Sequence, residues 1–303
     1  MCIRDRGYTV APERNRVIPA SSLADQTVDA FYGETSAKGA YMPWSRAADK
    51  IRFRPGEVTC WAGVNGNGKS LVTSQVALGL QRQDERVLLA SFEMRPVATM
   101  LRMTRQAAGG DSPTPAWIRA FHAWTDGRLW LYDHYGFCSP DKCLAVLRYA
   151  ASELGIGHLF IDSMMKVVEG EDDYNGQKRF VGDLCALAQT YNVHVHLVHH
   201  ARKGASESDL IDKFSIKGTG AITDQVDNVI LVQRNKRKEK AVAAGETVVD
   251  VPDTFLTISK QRNGDYEGSI GLWYLPGPQS YVEREGAKAQ YLPLSVQQGG
   301  CDE

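Results

Sequence analysis

No apolar stretch in the sequence approaches the roughly 20 residues that a membrane-spanning helix needs, so no membrane partner is expected. A charge of one sign is missing too: 35 Lys and Arg stand against 36 Asp and Glu, for a net charge of −1. That excludes a histone-like basic protein but leaves local basic clusters free to bind nucleic acid. Cysteine is sparse, with six among 303 residues, none of them in CxxC or zinc spacing. A disulfide scaffold is therefore excluded and a reducing cytoplasm is the expected location. The opening residues Met1 to Arg6 are charged and lack the apolar segment of a secretory signal. What is present is a composition that can bury a core: 43% of residues are apolar and only 23% charged.

Short β-rich runs occur at 58–62, 87–92, 129–132, 158–161, 193–198, 229–232, 255–258 and 270–275. Helix-like stretches at 70–81, 97–108, 142–154 and 178–191 separate the earlier ones. Alternation of this kind predicts an α/β fold, a mostly parallel twisted sheet flanked by helices. The last two runs have no helix between them, which predicts antiparallel strands at the sheet edge. The expected divisions are a disordered segment over 1–21, a linker helix and tether over 22–45, one domain over 46–285 and a tail over 286–303. Ser21 or Ser22 can cap the helix of 22–32, and Leu23, Val28, Phe31 and Tyr32 form its apolar stripe. Docking of that stripe on its own domain or on a neighbouring subunit is left open. The basic stretch Arg234–Lys240 reads as a solvated loop between strands.

Gly63-Val-Asn-Gly-Asn-Gly68-Lys69-Ser70 fits GxxxxGK[ST] completely, between an apolar strand and a helix. Such a loop turns backbone N–H groups toward phosphate oxygens, and the following helix N-terminus favours an anion. The loop residues Gly63, Asn65, Gly66, Asn67 and Gly68, with Lys69, Ser70 and Leu71, are thus the expected nucleotide cradle. Lys69 supplies charge at the β- and γ-phosphates, and Ser70 ligates Mg²⁺. The strand His158–Ile161 ends in Asp162, placed to orient the same ion. Glu93 stands at the tip of another strand, where it can align and deprotonate a water.

Taken together, the segment from Ile51 to Ser70, the run Ser91-Phe-Glu-Met94 and the run Lys260-Gln-Arg-Asn-Gly264 resemble the RecA-like P-loop motor domain of DnaB-type hexameric replicative helicases, in the phage primase-helicase and Twinkle branch. The resemblance spans about 40–285. It implies ATP, or another NTP or dNTP, as substrate, with Mg²⁺. It implies Glu93 as the catalytic glutamate and Asp162 as the acidic residue of the Walker B strand. A polar sensor ends the strand Val195–His200; His200 aligns best, with His199 as rival. His194 and His196 read as buried. Arg262 matches an arginine finger and Lys260 a second cation, both reaching a neighbouring subunit's nucleotide. Tyr274 matches an aromatic that stacks on the base, with Trp273 as the alternative.

The same resemblance places DNA-gripping loops after the sensor strand. Arg202, Lys203, Lys213 and Lys217 are the candidate phosphate contacts, with Gly218 and Gly220 at the loop's return. The implied activity is that of a homo-hexameric ring translocating 5′→3′ on single-stranded DNA in a bacterial or phage-infected cell, with a separate primase or polymerase as partner. A RecA/RadA-like recombination or repair ATPase is the alternative. A binding-only regulatory ring and a metabolic P-loop kinase are more distant ones.

Overall fold

The run Val58–Gly63 is buried at every position, as the middle strand of a sheet covered on both faces must be. The computed structural model describes residues 17–32, 39–168, 170, 173–201 and 220–294. They belong to two units that divide between Gly39 and Ala40.

In the first unit a 3₁₀ turn, Ala20–Leu23, leads into the helix Ala24–Tyr32. The Ser22 hydroxyl, expected as a cap acceptor, donates to the Pro19 carbonyl at 2.7 Å. Val28, Phe31 and Tyr32 are exposed on this helix.

In the second unit, β1 (Ala40–Tyr41) and β2 (Arg52–Phe53) form a small antiparallel pair. The main sheet comprises β3 (Val58–Gly63), β4 (Val87–Ser91), β5 (Leu129–Leu131), β6 (His158–Asp162), β7 (His194–His200), β8 (Asn228–Arg234), β9 (Thr254–Gln261), β10 (Gly268–Leu275) and β11 (Ser280–Val282). Their order is β11-β10-β9-β8-β3-β7-β6-β4-β5. From β8 to β5 neighbours are parallel; β9, β10 and β11 extend the edge antiparallel. Period-two alternation divides the core: Val58, Cys60 and Ala62 face one apolar cluster, and Trp61 faces the other. The helices Pro140–Glu153 and Tyr174–Tyr191 cover the first, and Lys69–Gln81 and Pro96–Ala108 the second.

Three features differ from expectation. The body begins at Ala40 and takes in residues past 285: Met42 and Trp44 are buried, Trp44 Nε1 donates to the Tyr281 carbonyl at 3.0 Å, and Leu292 N donates to the Ala107 carbonyl at 2.7 Å. The helix Pro115–Thr125 carries an aromatic stack of Trp117, Phe121 and Trp124. Its rings stand at i, i+4 and i+7, a helical spacing, but aromatic residues are weak helix formers by propensity, so composition alone does not mark the helix. The basic stretch expected as a loop instead contains a helix, Lys236–Ala243, capped by the Asn235 side chain, which accepts from Lys238 N at 3.1 Å.

Candidate active site

The phosphate-binding type of loop runs from the end of β3 into the helix Lys69–Gln81. Gly66 and Gly68 take φ of 82° and 85°, values that disfavour any side chain. At Gly68 a Cβ would also collide with the Tyr281 hydroxyl. The loop therefore has glycine at Gly68 for two independent reasons, backbone angle and space.

The loop opens onto a cavity of about 790 Å³, within the range of small-molecule sites. Its walls combine Asn65, Gly66, Gly68, Lys69, Ser70 and Leu71 with Glu93, Asp162 and His200. These residues come from the C-terminal ends of β3, β4, β6 and β7, the edge where ligands sit in parallel α/β sheets.

Lys69 is buried. Its ammonium donates to the Gly63 carbonyl at 2.9 Å and the Val64 carbonyl at 3.2 Å, and meets His200 Nδ1 at 3.3 Å. Burial lowers the Lys69 pKa, while the Asp162 and Glu93 carboxylates oppose that shift. Ser70 Oγ donates to Asp162 Oδ2 at 2.6 Å. Burial raises the Asp162 pKa; the Ser70 hydrogen bond pulls it back, and Lys69 and Arg102 act in the same direction.

Glu93 accepts from Ser163 Oγ at 2.7 Å, and His200 Nε2 lies 3.7 Å from its Oε1. His200 does most to hold Glu93 down, with Ser163 adding to it, and the carboxyl is lowered to about 2. Glu93 is therefore ionised throughout the neutral range, as an acceptor that orients water must be.

Of the other sequence-predicted residues, some stand apart from the cavity. Asn67 is buried and its amide donates to the Val232 carbonyl at 3.3 Å; it ties the loop to β8 rather than lining the space. His199 is buried within β7, whereas His200 reaches the cavity. Trp273 is buried, while Tyr274 is half-buried beside the Tyr281 ring at 5.3 Å. Lys260 and Arg262 do not line the cavity of their own chain. They bond the last residue of the short helix Gly220–Thr223 and the segment that follows it. Arg202, Lys203, Lys213, Lys217 and Gly218 lie outside the described residues, and Gly220 opens that short helix.

Sequence reasoning missed Ser163, Arg102, Lys166 and Tyr135. Ser163 directly follows Asp162, so its place at a strand tip was a usable signal. Arg102 sits on the helix Pro96–Ala108 and lines the cavity. Lys166 and Tyr135 also line it; Lys166 ends the 3₁₀ turn Met164–Lys166 just past β6 and helps to lower the Glu93 pKa.

A protein-family model described as an AAA domain matches residues 48–206. The chain belongs to that family. Among solved structures, an isolated ATPase domain superposes with a TM-score of 0.71 at 15% identity, covering 88% of this chain and 99% of that one. A DnaB-like replicative helicase, solved with its interactions with primase, gives 0.72 at 14% identity, covering 90% and 70%. This member of the AAA domain family thus has the RecA-like fold of helicase ATPase domains, the fold class expected from its motifs.

The residues present suit a nucleotide with magnesium. Ser70 Oγ and Asp162 Oδ2 are adjacent hard oxygen donors. Among the described residues no group of three or more His, Cys, Asp or Glu could hold a metal ion. Magnesium, which keeps waters and phosphate oxygens, needs no such cluster.

Proposed function

We propose that this chain is the motor of an ATP-dependent DNA helicase, acting as a homo-hexameric ring that translocates on single-stranded DNA and separates duplex. The observation that carries this is the meeting of Lys69, Ser70, Asp162, Glu93 and His200 around one cavity at the mouth of the loop. Lys69 neutralises the β- and γ-phosphates, and Ser70 and Asp162 hold magnesium. The bound ion would offset charge on the transferring phosphoryl group. Glu93 aligns the attacking water and receives its proton; the water oxygen bonds to the γ-phosphorus as the bond to the β–γ bridging oxygen breaks, and ADP and phosphate leave. Arg262 and Lys260 act on a neighbouring subunit's nucleotide, a reading supported by their position away from their own cavity. Tyr274 is the base-stacking ring. His200 passes the γ-phosphate state to the 201–217 segment, which grips DNA. A 5′→3′ direction and a separate primase or polymerase partner are what the family resemblance implies, and a cytoplasmic location is what the sparse cysteines, none in CxxC or zinc spacing, support. The helix Ala24–Tyr32 docks its exposed apolar face on a neighbouring copy.

The test combines particle size, ATP hydrolysis and unwinding of a forked duplex. Growth to a ring with ATP analogue and single-stranded DNA, DNA-stimulated hydrolysis and strand separation are expected. A protein that stays monomeric would contradict the role of Arg262 across an interface. DNA-stimulated hydrolysis without strand separation would select the recombination or repair ATPase instead.

A further inference from the structure

Arg262 is held by a built anchor. Its Nη1 lies 2.9 Å from Asp227 Oδ1. Its Nη2 donates to the Asp224 carbonyl at 3.1 Å and the Gln225 carbonyl at 3.3 Å. Its backbone N–H donates to the Asp227 carbonyl at 2.9 Å. Lys260 fills the adjoining carbonyls: its ammonium donates to Thr223 at 2.6 Å, Val226 at 2.7 Å and Asp224 at 3.2 Å. The β9 register skips a residue here, Ile258 facing Ile230 and Lys260 facing Val229. A bulge of this kind re-aims the side chains that follow it.

The anchor's far end is equally defined. Asp227 is buried, and its second oxygen, Oδ2, accepts from Val58 N at 2.9 Å. Asp227 N donates to the Val58 carbonyl at 3.0 Å. Val58 begins β3, the strand that ends in the phosphate-type loop. One carboxylate thus joins the root of β3 to the guanidinium of Arg262. The Arg262 side chain nevertheless stays about half exposed, at 47%, so it can still meet a group from outside the chain.

We propose that Asp227 is a positioning residue for Arg262: it orients the guanidinium so that its free face is presented across a subunit interface. This rests on the reading of Arg262 as a cation acting in trans. A fork whose Nη1 and Nη2 already bond a carboxylate and two carbonyls loses little freedom when its remaining N–H groups meet a phosphate, which is the benefit of preorganisation. Without the carboxylate, the side chain must be ordered at each encounter.

The experiment measures ATP turnover of the assembled protein for Asp227→Asn, Arg262→Ala and the double variant, with Asp227→Glu as the conservative control. Asparagine can still accept from Val58 N but withdraws the negative charge from Arg262. The expected result is a fall in kcat of about tenfold or more for Asp227→Asn, on the scale of a lost charge-assisted contact, with KM for ATP within about twofold. Asp227→Glu should recover part of the rate, and Asp227→Asn should add nothing on the Arg262→Ala background. Wild-type kcat in Asp227→Asn beside an inactive Arg262→Ala would overturn the positioning role alone. Losses that multiply in the double variant, or a KM that rises as kcat falls, would reduce Asp227 to a structural brace and overturn it as well. Full turnover in Arg262→Ala would remove the reading beneath the proposal, and the proposal with it. If Asp227→Asn does not fold, wild-type turnover in a folded Asp227→Ser would overturn the proposal, and loss confined to kcat would support it.

Discussion

His200 Nδ1 and Lys69 Nζ meet at 3.3 Å, and this contact sets the direction of a hydrogen-bond chain. An ammonium only donates, so Nδ1 accepts and a neutral ring carries its proton on Nε2. That proton points toward Ser163 Oγ at 3.3 Å, and Ser163 in turn donates to Glu93. The residue expected at the phosphate is therefore connected to the residue expected at the water through two side chains.

Glu93→Gln should leave ATP binding nearly intact and lower turnover by about 10²–10⁴-fold, the usual contribution of a positioned base. Phosphate release measured beside the affinity for a nucleotide analogue separates the two. Turnover within a few-fold of wild type would mean that Glu93 is not the water-orienting group.

Removing His200 takes away the strongest influence holding Glu93 near 2. In His200→Ala the carboxyl should titrate at higher pH, and the acid limb of the kcat profile should move upward with it. The sign follows from the cause: loss of a group that favours the carboxylate raises its pKa. Ser163→Ala should move the limb the same way by less, because Ser163 ranks behind His200 among the influences that lower it. An unmoved limb in both variants would break the chain at Glu93.

Three imidazoles stand in the core beneath the site, and they make stability depend on acid. Trp61 Nε1 donates to His196 Nδ1 at 3.3 Å, so His196 donates from Nε2 to His158 Nδ1 at 3.2 Å. Thr59 Oγ1 meets His194 Nε2 at 2.8 Å. Burial lowers the pKa of His158 and His196 well below 6.5, and that of His194 to about 4. The unfolded chain thus binds protons that the folded one refuses, so stability is full above pH 6.5 and declines as pH falls toward 4. Thermal melts across that range, with NMR titration of the ring protons, check it. Three rings that titrate near 6.5 in the folded protein would contradict the burial argument.

Gly68→Ala should cost more than Gly66→Ala. Both positions have positive φ, worth about 1–2 kcal/mol to a residue with a Cβ, but only at Gly68 does the new methyl meet the Tyr281 hydroxyl; at Gly66 nothing lies within 4 Å. Adding Tyr281→Phe should return part of the Gly68→Ala loss by removing that oxygen. Denaturant melts of the four proteins give the comparison, and equal costs at the two glycines would refute the steric part.

The locations of the strands and of the loop are legible in the chain of residues, because both are local. Every β-rich run expected between 58 and 275 is a strand of the main sheet, since alternation and apolar content act over a few residues. Glu93 and Asp162 were legible for the same reason: a carboxylate just past an apolar strand falls at the binding edge of a parallel sheet. The basic helix Lys236–Ala243 was not, because its composition suits a loop and only the Asn235 cap marks its start. Nor were the first strands and β11, two or three residues long, which carry too little pattern.

Which side chains meet is settled only when the sheet is assembled. The bonds Lys69–His200, Ser70–Asp162 and Ser163–Glu93 span 131, 92 and 70 residues of chain. They exist because β7 lies beside β3 and β6 beside β4. Successive residues of a strand point to opposite faces, so His200 reaches the cavity while His199 is buried, a choice the His-His pair itself does not reveal. Arg262 shows the limit most clearly. Its residue type and its position past a strand were visible from the start, but its hold on Asp227, and through it on the root of β3, depends on β8 lying between β3 and β9. Strand order is set by the packing of the whole sheet, and no local run of residues encodes it.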